Sequence, residues 1–239
     1  MSGHSKWSTI KHKKAANDAK KASVFSKMSK AITMAVVESG GNTDPAANVK
    51  LRLAIERARA ENMPKVNIDR AIEKAAAADA SSLKEILYEA IGVSGVGILV
   101  AATTDNPNRT NSVVRNVLDK NGGKVAGVNA VAYMFEKCGI VVLSKEAFDE
   151  TMFFELSDSL SAIEVDEDDD GYVLYIPFEK LGSVHKALGD RVALSVEPYF
   201  RPLTTVRIGS DAVDKIEQLV EMLEDLDDVQ KAYTNYEVV

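Results

Sequence analysis

One cysteine, Cys138, stands in 239 residues. A disulfide framework and a thiolate cluster for zinc are therefore both excluded within one chain, in keeping with a reducing compartment. No stretch approaches the roughly 18 uninterrupted apolar residues that a membrane span requires. The leading residues also lack the apolar core of a signal peptide and the Arg-rich, Ser-rich character of a transit segment, so a cytoplasmic location is expected. Catalytic signatures are just as scarce. Gly92, Gly95 and Gly97 lack the Gly-Lys-Ser/Thr ending of a phosphate-binding loop and read as a hairpin turn. The acidic run 164–170 does not follow the spacing of an EF-hand and reads as a solvated turn between strands. His185 has no serine or cysteine that could be assigned to it as a triad. No paired carboxylates or nucleophile–base sets present themselves. The expectation is a protein that is not an enzyme and that holds neither cofactor nor metal.

What the chain has is a segregation of charge. The net charge of -7 conceals it. Residues 1–74 carry 15 Lys plus Arg against 7 Asp plus Glu, a balance of +8, and residues 75–239 carry 14 against 29, a balance of -15. Within the first 30 residues Lys6, Lys11, Lys13, Lys14, Lys20, Lys21, Lys27 and Lys30 face only Asp18. A hydrophobic share of 46% is ample for cores, so the polarity is laid over an ordinary globular composition.

Periodicity outlines three helices in the basic part. No Pro or Gly interrupts residues 10–37, and Val24, Phe25, Met28, Ile32, Ala35 and Val36 recur at helical spacing before Gly40-Gly41. A second helix is expected from Pro45, with Asp44 as its cap, through Leu51, Ile55 and Ala58 to Asn62-Met63-Pro64. Val66, Ile68, Ala71, Ile72 and Ala75 outline the third, giving a helical bundle over residues 1–77. Beyond it the pattern changes to short strands alternating with helices. Strands are expected at 86–91, 97–103, 130–135, 139–143, 162–165, 172–177, 192–196, 204–208 and 229–236. Helices are expected from Asn106-Pro107, around Phe148 to Leu160, at 178–188 and at 211–226. The fold class is α+β: an N-terminal three-helix bundle followed by two α/β domains with mainly antiparallel sheets. Boundaries fall near 78 and 144. The terminal strand and helix either extend the last segment or return to the middle one. The return is preferred, giving domains 1–77, 78–143 plus about 204–239, and 144–203.

The segment Gly3-His4-Ser5-Lys6-Trp7-Ser8-Thr9-Ile10-Lys11-His12-Lys13-Lys14 mixes cations, hydroxyls and one aromatic, the combination that contacts phosphates and stacks on bases. On a helix, Lys13, Lys20 and Lys27 repeat every seven residues and Lys14 and Lys21 do the same, so they form adjacent stripes rather than a ring. Such a stripe tracks a phosphate backbone, whereas the plain alternative is a solvated lysine face. His4 and His12, eight apart with no cysteine or carboxylate cluster nearby, are read as phosphate donors or caps rather than metal ligands. Asp105-Asn106-Pro107-Asn108-Arg109-Thr110 opens a helix with an arginine and a hydroxyl, so it serves either as a second anion site through Arg109 or as simple capping. The candidate nucleic-acid contacts are thus His4, Lys6, Trp7, Lys11, His12, Lys13, Lys14, Lys20, Lys21, Lys27 and Arg109. No recognition helix opens with base-reading Arg, Asn or Gln, so strong sequence readout is not expected. A nucleic acid is the expected partner, with protein partners through the acidic domains and no membrane. The competing class is a protein-interaction scaffold whose basic bundle docks on an acidic surface.

Long ordered motifs resemble the YebC/PmpR family, which includes the mitochondrial translational activator of cytochrome oxidase subunit one. They are Gly3-His4-Ser5-Lys6-Trp7 with Ile10-Lys11-His12-Lys13-Lys14-Ala15-Ala16, Arg57-Ala58-Arg59-Ala60-Glu61-Asn62-Met63-Pro64, Thr104-Asp105-Asn106-Pro107-Asn108-Arg109-Thr110, and Tyr133-Met134-Phe135-Glu136-Lys137. The resemblance implies a helical N-terminal domain and two α/β domains, the third inserted into the second so that the C-terminal segment packs back. It also implies regulation of gene expression, either transcriptional at promoter DNA or translational at ribosomal RNA on the ribosome, where stalls on proline-rich stretches are relieved. The chain departs from the family pattern at Ala75 to Ala80, which replaces a Lys-Gly-Thr-Gly-like linker, and at Val93, Ser94 and Val128.

Overall fold

A computed structural model describes residues 21–76, 83–167, 169 and 171–239. Among the described residues the first helix, α1 (Lys21–Glu38), buries Met28, Ile32, Ala35 and Val36. They meet Leu51, Ile55 and Ala58 of α2 (Val49–Ala60) and Ile68, Ala71 and Ala75 of α3 (Lys65–Ala76), with Met63 between them, so the apolar stripes of three short helices close on one core. The start of α2 differs from the Asp44–Pro45 expectation. Asn48 is the cap: its side-chain oxygen accepts from the Leu51 N–H at 3.0 Å. Its amide donates to the Ala35 carbonyl at 2.9 Å and to the Asn42 carbonyl at 3.0 Å. Asp44 instead turns the loop by accepting from the Ala46 N–H at 2.9 Å. A capping amide that also ties down the end of α1 satisfies more buried groups than an exposed Asp44 could.

A four-stranded antiparallel sheet follows. Strands β1 (Lys84–Ile91) and β2 (Gly97–Thr104) form the expected hairpin, closed by a turn with Ser94 and Gly95 at positive φ. After α4 (Pro107–Lys120) and the short β3 (Lys124–Val125), the chain enters an inserted unit. That unit holds β4 (Phe135–Ser144), α5 (Glu150–Leu160), β5 (Glu164–Glu167), β6 (Gly171–Pro177), α6 (Val184–Leu188) and β7 (Ser195–Pro202), with strands ordered β5-β6-β4-β7. Its core is aromatic in part, with Phe153 of α5 stacked on Tyr172 of β6 at 4.2 Å between centroids. The 178–188 helix of the sequence reading is broken here, a 3-10 stretch over Phe178–Ser183 preceding α6. Leu181 in that stretch closes on Gly139, where a Cβ would come within 2.7 Å of the leucine side chain.

The chain then closes with β8 (Val206–Ile208), α7 (Ser210–Glu224), β9 (Val229–Thr234) and β10 (Tyr236–Val238). Strand β9 pairs with β2, giving the order β3-β1-β2-β9, and β10 pairs in parallel with β8. The C-terminal segment therefore returns to the earlier sheet. Helices α4 and α7 cover one face of it, burying Val114, Leu118, Ile216, Leu219 and Leu223 against Ala90, Ile98, Val100 and Val229. Contacts group Asn17–Phe135 with Pro202–Val239 as one compact unit and Glu136–Arg201 as the other. Strand β4 is paired with β6 and so belongs almost wholly to the inserted unit, ahead of the boundary near 144 drawn from the sequence.

The strand expected at 130–135 is instead a 3-10 turn at Ala132–Met134. The cause is Glu89 on β1. Its carboxylate accepts the N–H groups of Asn129 at 2.6 Å, Val131 at 2.6 Å and Ala132 at 2.7 Å, so those amides have no donors left for a ladder. Burial alone would push the Glu89 carboxyl up, but these backbone bonds outweigh it and hold the group below its ordinary range.

Candidate nucleic-acid interface

His4, Lys6, Trp7, Lys11, His12, Lys13, Lys14 and Lys20 lie outside the described residues. Lys21 opens α1. Lys27 and Lys30 follow nearly two turns and about two and a half turns further on, and both point into the protein's own α/β body rather than to an outer stripe. Lys27 is 8% exposed, and its ammonium donates to the Glu224 carbonyl at the C-terminus of α7. Desolvation lowers its pKa, and the neighbouring carboxylates Glu224, Asp225 and Asp227 oppose that shift. An ammonium on a helix C-terminus also meets the negative end of the helix dipole. The expectation that Lys27 continues the phosphate stripe of Lys13 and Lys20 is corrected on this ground: its charge is spent inside the fold.

Lys30 donates to the Asp227 carbonyl at 2.9 Å and to Asp228 Oδ1 at 2.6 Å. The other oxygen of Asp228 faces α4. Arg109 Nη2 lies 2.9 Å from Oδ2, Thr110 Oγ1 2.7 Å and Thr104 Oγ1 3.3 Å. Thr110 and Thr104 are themselves 2.8 Å apart. Each hydroxyl has one proton, so the geometry is satisfied when Thr110 donates to the carboxylate and Thr104 donates to Thr110. The Thr104 oxygen also accepts from the Asn106 N–H at 2.9 Å. Arg109 reaches Asp105 at 2.8 Å with the same nitrogen, making a four-member chain of alternating charge, Lys30–Asp228–Arg109–Asp105. Burial would raise the Asp228 carboxyl, but the bonds from Lys30, Thr110 and Arg109 prevail and bring it down to about 2.

Sequence and backbone explain why these groups converge. Asn106 caps α4 by accepting from the Arg109 N–H at 3.1 Å, and Pro107 occupies the first turn, where its missing N–H costs nothing. Of the two readings of the Asp105–Thr110 motif, capping is the one seen: Asn106 caps the helix, while Arg109 and Thr110 bond to the chain's own Asp228. Arg109 remains half exposed, but its guanidinium is already engaged. The register shift between Ala101 and Ala102 leaves Gln230 as an extra residue on β9 here, and the Thr103 N–H donates to the Asp228 carbonyl at 2.8 Å, which fixes that residue's backbone.

Glu89 and Asp228 were not among the sequence-derived candidates. Glu89 had one legible signal, a carboxylate placed between Tyr88 and Ala90 in the otherwise apolar stretch 86–91. Asp228 had none, since it falls between the expected helix at 211–226 and the expected strand at 229–236, at the end of an acidic run. Among the described residues no group of three His, Cys, Asp or Glu side chains could hold a metal ion, and Cys138 is buried. No helix among them is long and apolar enough to cross a membrane.

Fold and site together define a class: an α+β protein whose helical N-terminal domain is docked by lysines on an antiparallel sheet domain that itself carries an inserted α/β unit. Residues 5–78 match the TACO1/YebC protein N-terminal domain, and residues 83–236 match the TACO1/YebC second and third domain. The chain belongs to the TACO1/YebC family, whose members are regulatory. It is similar to a conserved hypothetical protein from Aquifex aeolicus of known crystal structure, at 35% identity over 98% of each chain and a TM-score of 0.87.

Proposed function

We propose that this chain is a non-catalytic, cytoplasmic regulator of gene expression that grips the phosphate backbone of a nucleic acid, with promoter DNA as its target. One observation carries the reading. Of the eight lysines in the first 30 residues, two are committed to the body, which leaves Lys6, Lys11, Lys13, Lys14, Lys20 and Lys21, opposed only by Asp18, in one short basic segment. Lysines act on phosphate as flexible point charges, and displaced counterions supply the free energy. His4, His12 and Trp7 lie in the same segment, and Trp7 adds a face on which a base stacks. Arg109 joins them only if it leaves Asp228. The acidic remainder, at -15, discourages indiscriminate coating of the polymer.

The salt dependence of binding to a labelled DNA duplex tests this. Six phosphate contacts give a slope of about -5 in log affinity against log salt, so raising salt from about 50 to about 200 mM weakens binding roughly a thousandfold. Changing Lys13, Lys14, Lys20 and Lys21 together to Glu should abolish retention. A flat salt response, or unchanged retention by the quadruple variant, would leave the protein-scaffold reading in its place. Crosslinking in cells separates transcription from action at the ribosome: promoter reads support the first, and ribosomal RNA with messenger reads the second.

A further inference from the structure

The inserted unit is strongly acidic, with 6 Lys plus Arg against 15 Asp plus Glu over residues 136–201. Its helix α5 holds no Lys or Arg, and its outward side combines negative charge with an aromatic ring. Phe153, Leu156 and Leu160 are buried on the inner side, so at roughly 100° per residue Thr151, Phe154, Glu155 and Asp158 project outward. Phe154 is 52% exposed. Glu150 and Asp158 stand four residues before and after it, one turn to either side, Glu155 lies next to it, and all three carboxylates are exposed. The ring is backed by others. It lies 5.2 Å from Phe153 at a tilt of 56°, and Phe153 stacks at 4.2 Å on Tyr172 of β6, so an aromatic column runs from the sheet to the surface. Val165 of the edge strand β5 adds exposed apolar surface on the same side of the sheet, since it pairs with Leu174, two residues from Tyr172. Lys145, which precedes the helix, is engaged with Glu167 at 2.6 Å and lies 5.1 Å from the centre of the Tyr172 ring.

We propose that the outer face of α5 docks a segment of a partner protein in which Lys or Arg stands beside a large apolar side chain. Phe154 is the anchor, and Glu150, Glu155 and Asp158 are the charge partners. A large ring already ordered at the surface loses little freedom on binding and gains by being covered. Carboxylates around it attract ammonium and guanidinium groups, which also favour the face of the ring, and they repel phosphate. The inference goes beyond the nucleic-acid reading and stands apart from it, because the sign of this face closes it to a polyanion.

The experiment uses the full chain and three short labelled peptides, one alternating Lys with Leu, one Lys with Ser and one Glu with Leu. The parent should bind the Lys-Leu peptide most tightly, the Lys-Ser peptide about tenfold more weakly and the Glu-Leu peptide not at all. Phe154→Ser should weaken the Lys-Leu peptide about tenfold and leave the Lys-Ser peptide unchanged, because only the anchor is lost. Changing Glu150 and Glu155 to Gln and Asp158 to Asn together should weaken both basic peptides, by about fivefold at low salt and less as salt rises. Val192→Ser removes another apolar side chain of the same unit, 79% exposed, and should match the parent. Circular dichroism checks that each variant is folded. If the parent binds neither basic peptide, or if Phe154→Ser binds both as the parent does, the docking face is overturned. Sedimentation of the parent as a dimer that Phe154→Ser dissociates would assign the face to a second copy of this chain. A Lys-Leu affinity that rises when Lys13, Lys14, Lys20 and Lys21 are changed to Glu would assign it to the chain's own lysines. Weaker binding of Phe154→Ser to a labelled DNA duplex would assign it to the nucleic acid. Each of these three results overturns the separate protein partner.

Discussion

Two buried carboxylates in the same compact unit, Glu89 and Asp228, are held in opposite ways. Glu89 takes backbone N–H groups from a single loop within its own sheet domain. Asp228 takes side chains from two separate helices, one in the N-terminal bundle and one beside the sheet. Backbone donors cannot be withdrawn without refolding the loop, so Glu89 fixes local shape and nothing more. Side-chain donors can be withdrawn one at a time, and two of those on Asp228 are full charges that salt or a competing anion can address. The first arrangement is architecture. The second joins the domain that carries the basic segment to the body that carries the opposite charge.

Breaking the first arrangement should give the larger loss of stability. Glu89→Gln keeps the shape but replaces a charged acceptor by an amide that cannot accept three N–H groups, leaving buried donors unmatched. A loss of about 3 kcal/mol is expected in urea unfolding, because bonds to a charged group contribute about 1.5–3 kcal/mol and orphaned donors add their desolvation cost. Amide exchange at Asn129, Val131 and Ala132 should accelerate in the same variant. An unfolding midpoint unmoved by Glu89→Gln would remove one side of the comparison.

Asp228→Asn comes next, at about 2 kcal/mol, because the Asn side chain still accepts one bond and Arg109 relaxes toward Asp105. Acid sharpens the distinction. The folded-state pKa of Asp228 is brought down to about 2 from the ordinary 3.8, so its contribution is fully present above about pH 4 and is lost as pH falls toward 2. The parent should therefore lose its margin over Asp228→Asn across that window, with the two unfolding curves converging at the acid end. If the margin persists at pH 2, the carboxylate is not what Lys30 and Arg109 hold.

The contrast also explains how much was legible in the sequence. Helices with strong periodicity, such as α1 and α7, could be placed because their spacing is a local property, and the hairpin of β1 and β2 announced itself through its glycines. The 130–135 strand failed because its amides are claimed by Glu89, some 40 residues earlier, and no local pattern records that claim. The same holds for the candidate site. Lys27 kept its place in a seven-residue repeat, yet its partner lies 197 residues away, so the repeat said nothing of which way it turns. Arg109 and Thr110 were singled out as candidates for an anion by their position at a helix start, and both bond to the chain's own Asp228. That partner was not readable, since Asp228 is 118 residues from Thr110 and no local pattern sets it apart from the acids before it.

The smallest effect should come from Arg109→Gln. Arg109 is about half exposed at 51%, it is shared between Asp105 and Asp228, and water and salt already screen the pair. When it is removed, Asp228 keeps Lys30 and the Thr110 hydroxyl, and Asp105 returns to solvent. No resolvable change in the urea midpoint is expected at 0.15 M salt. A small destabilisation should emerge only when the salt is lowered tenfold, because the Debye length then grows from about 8 Å to well beyond the size of the cluster. Glu89→Gln has no charged side-chain partner to screen and should be indifferent to that change of salt. A salt response in both variants, or in neither, would mean that backbone-held and side-chain-held carboxylates do not differ in the way their partners imply.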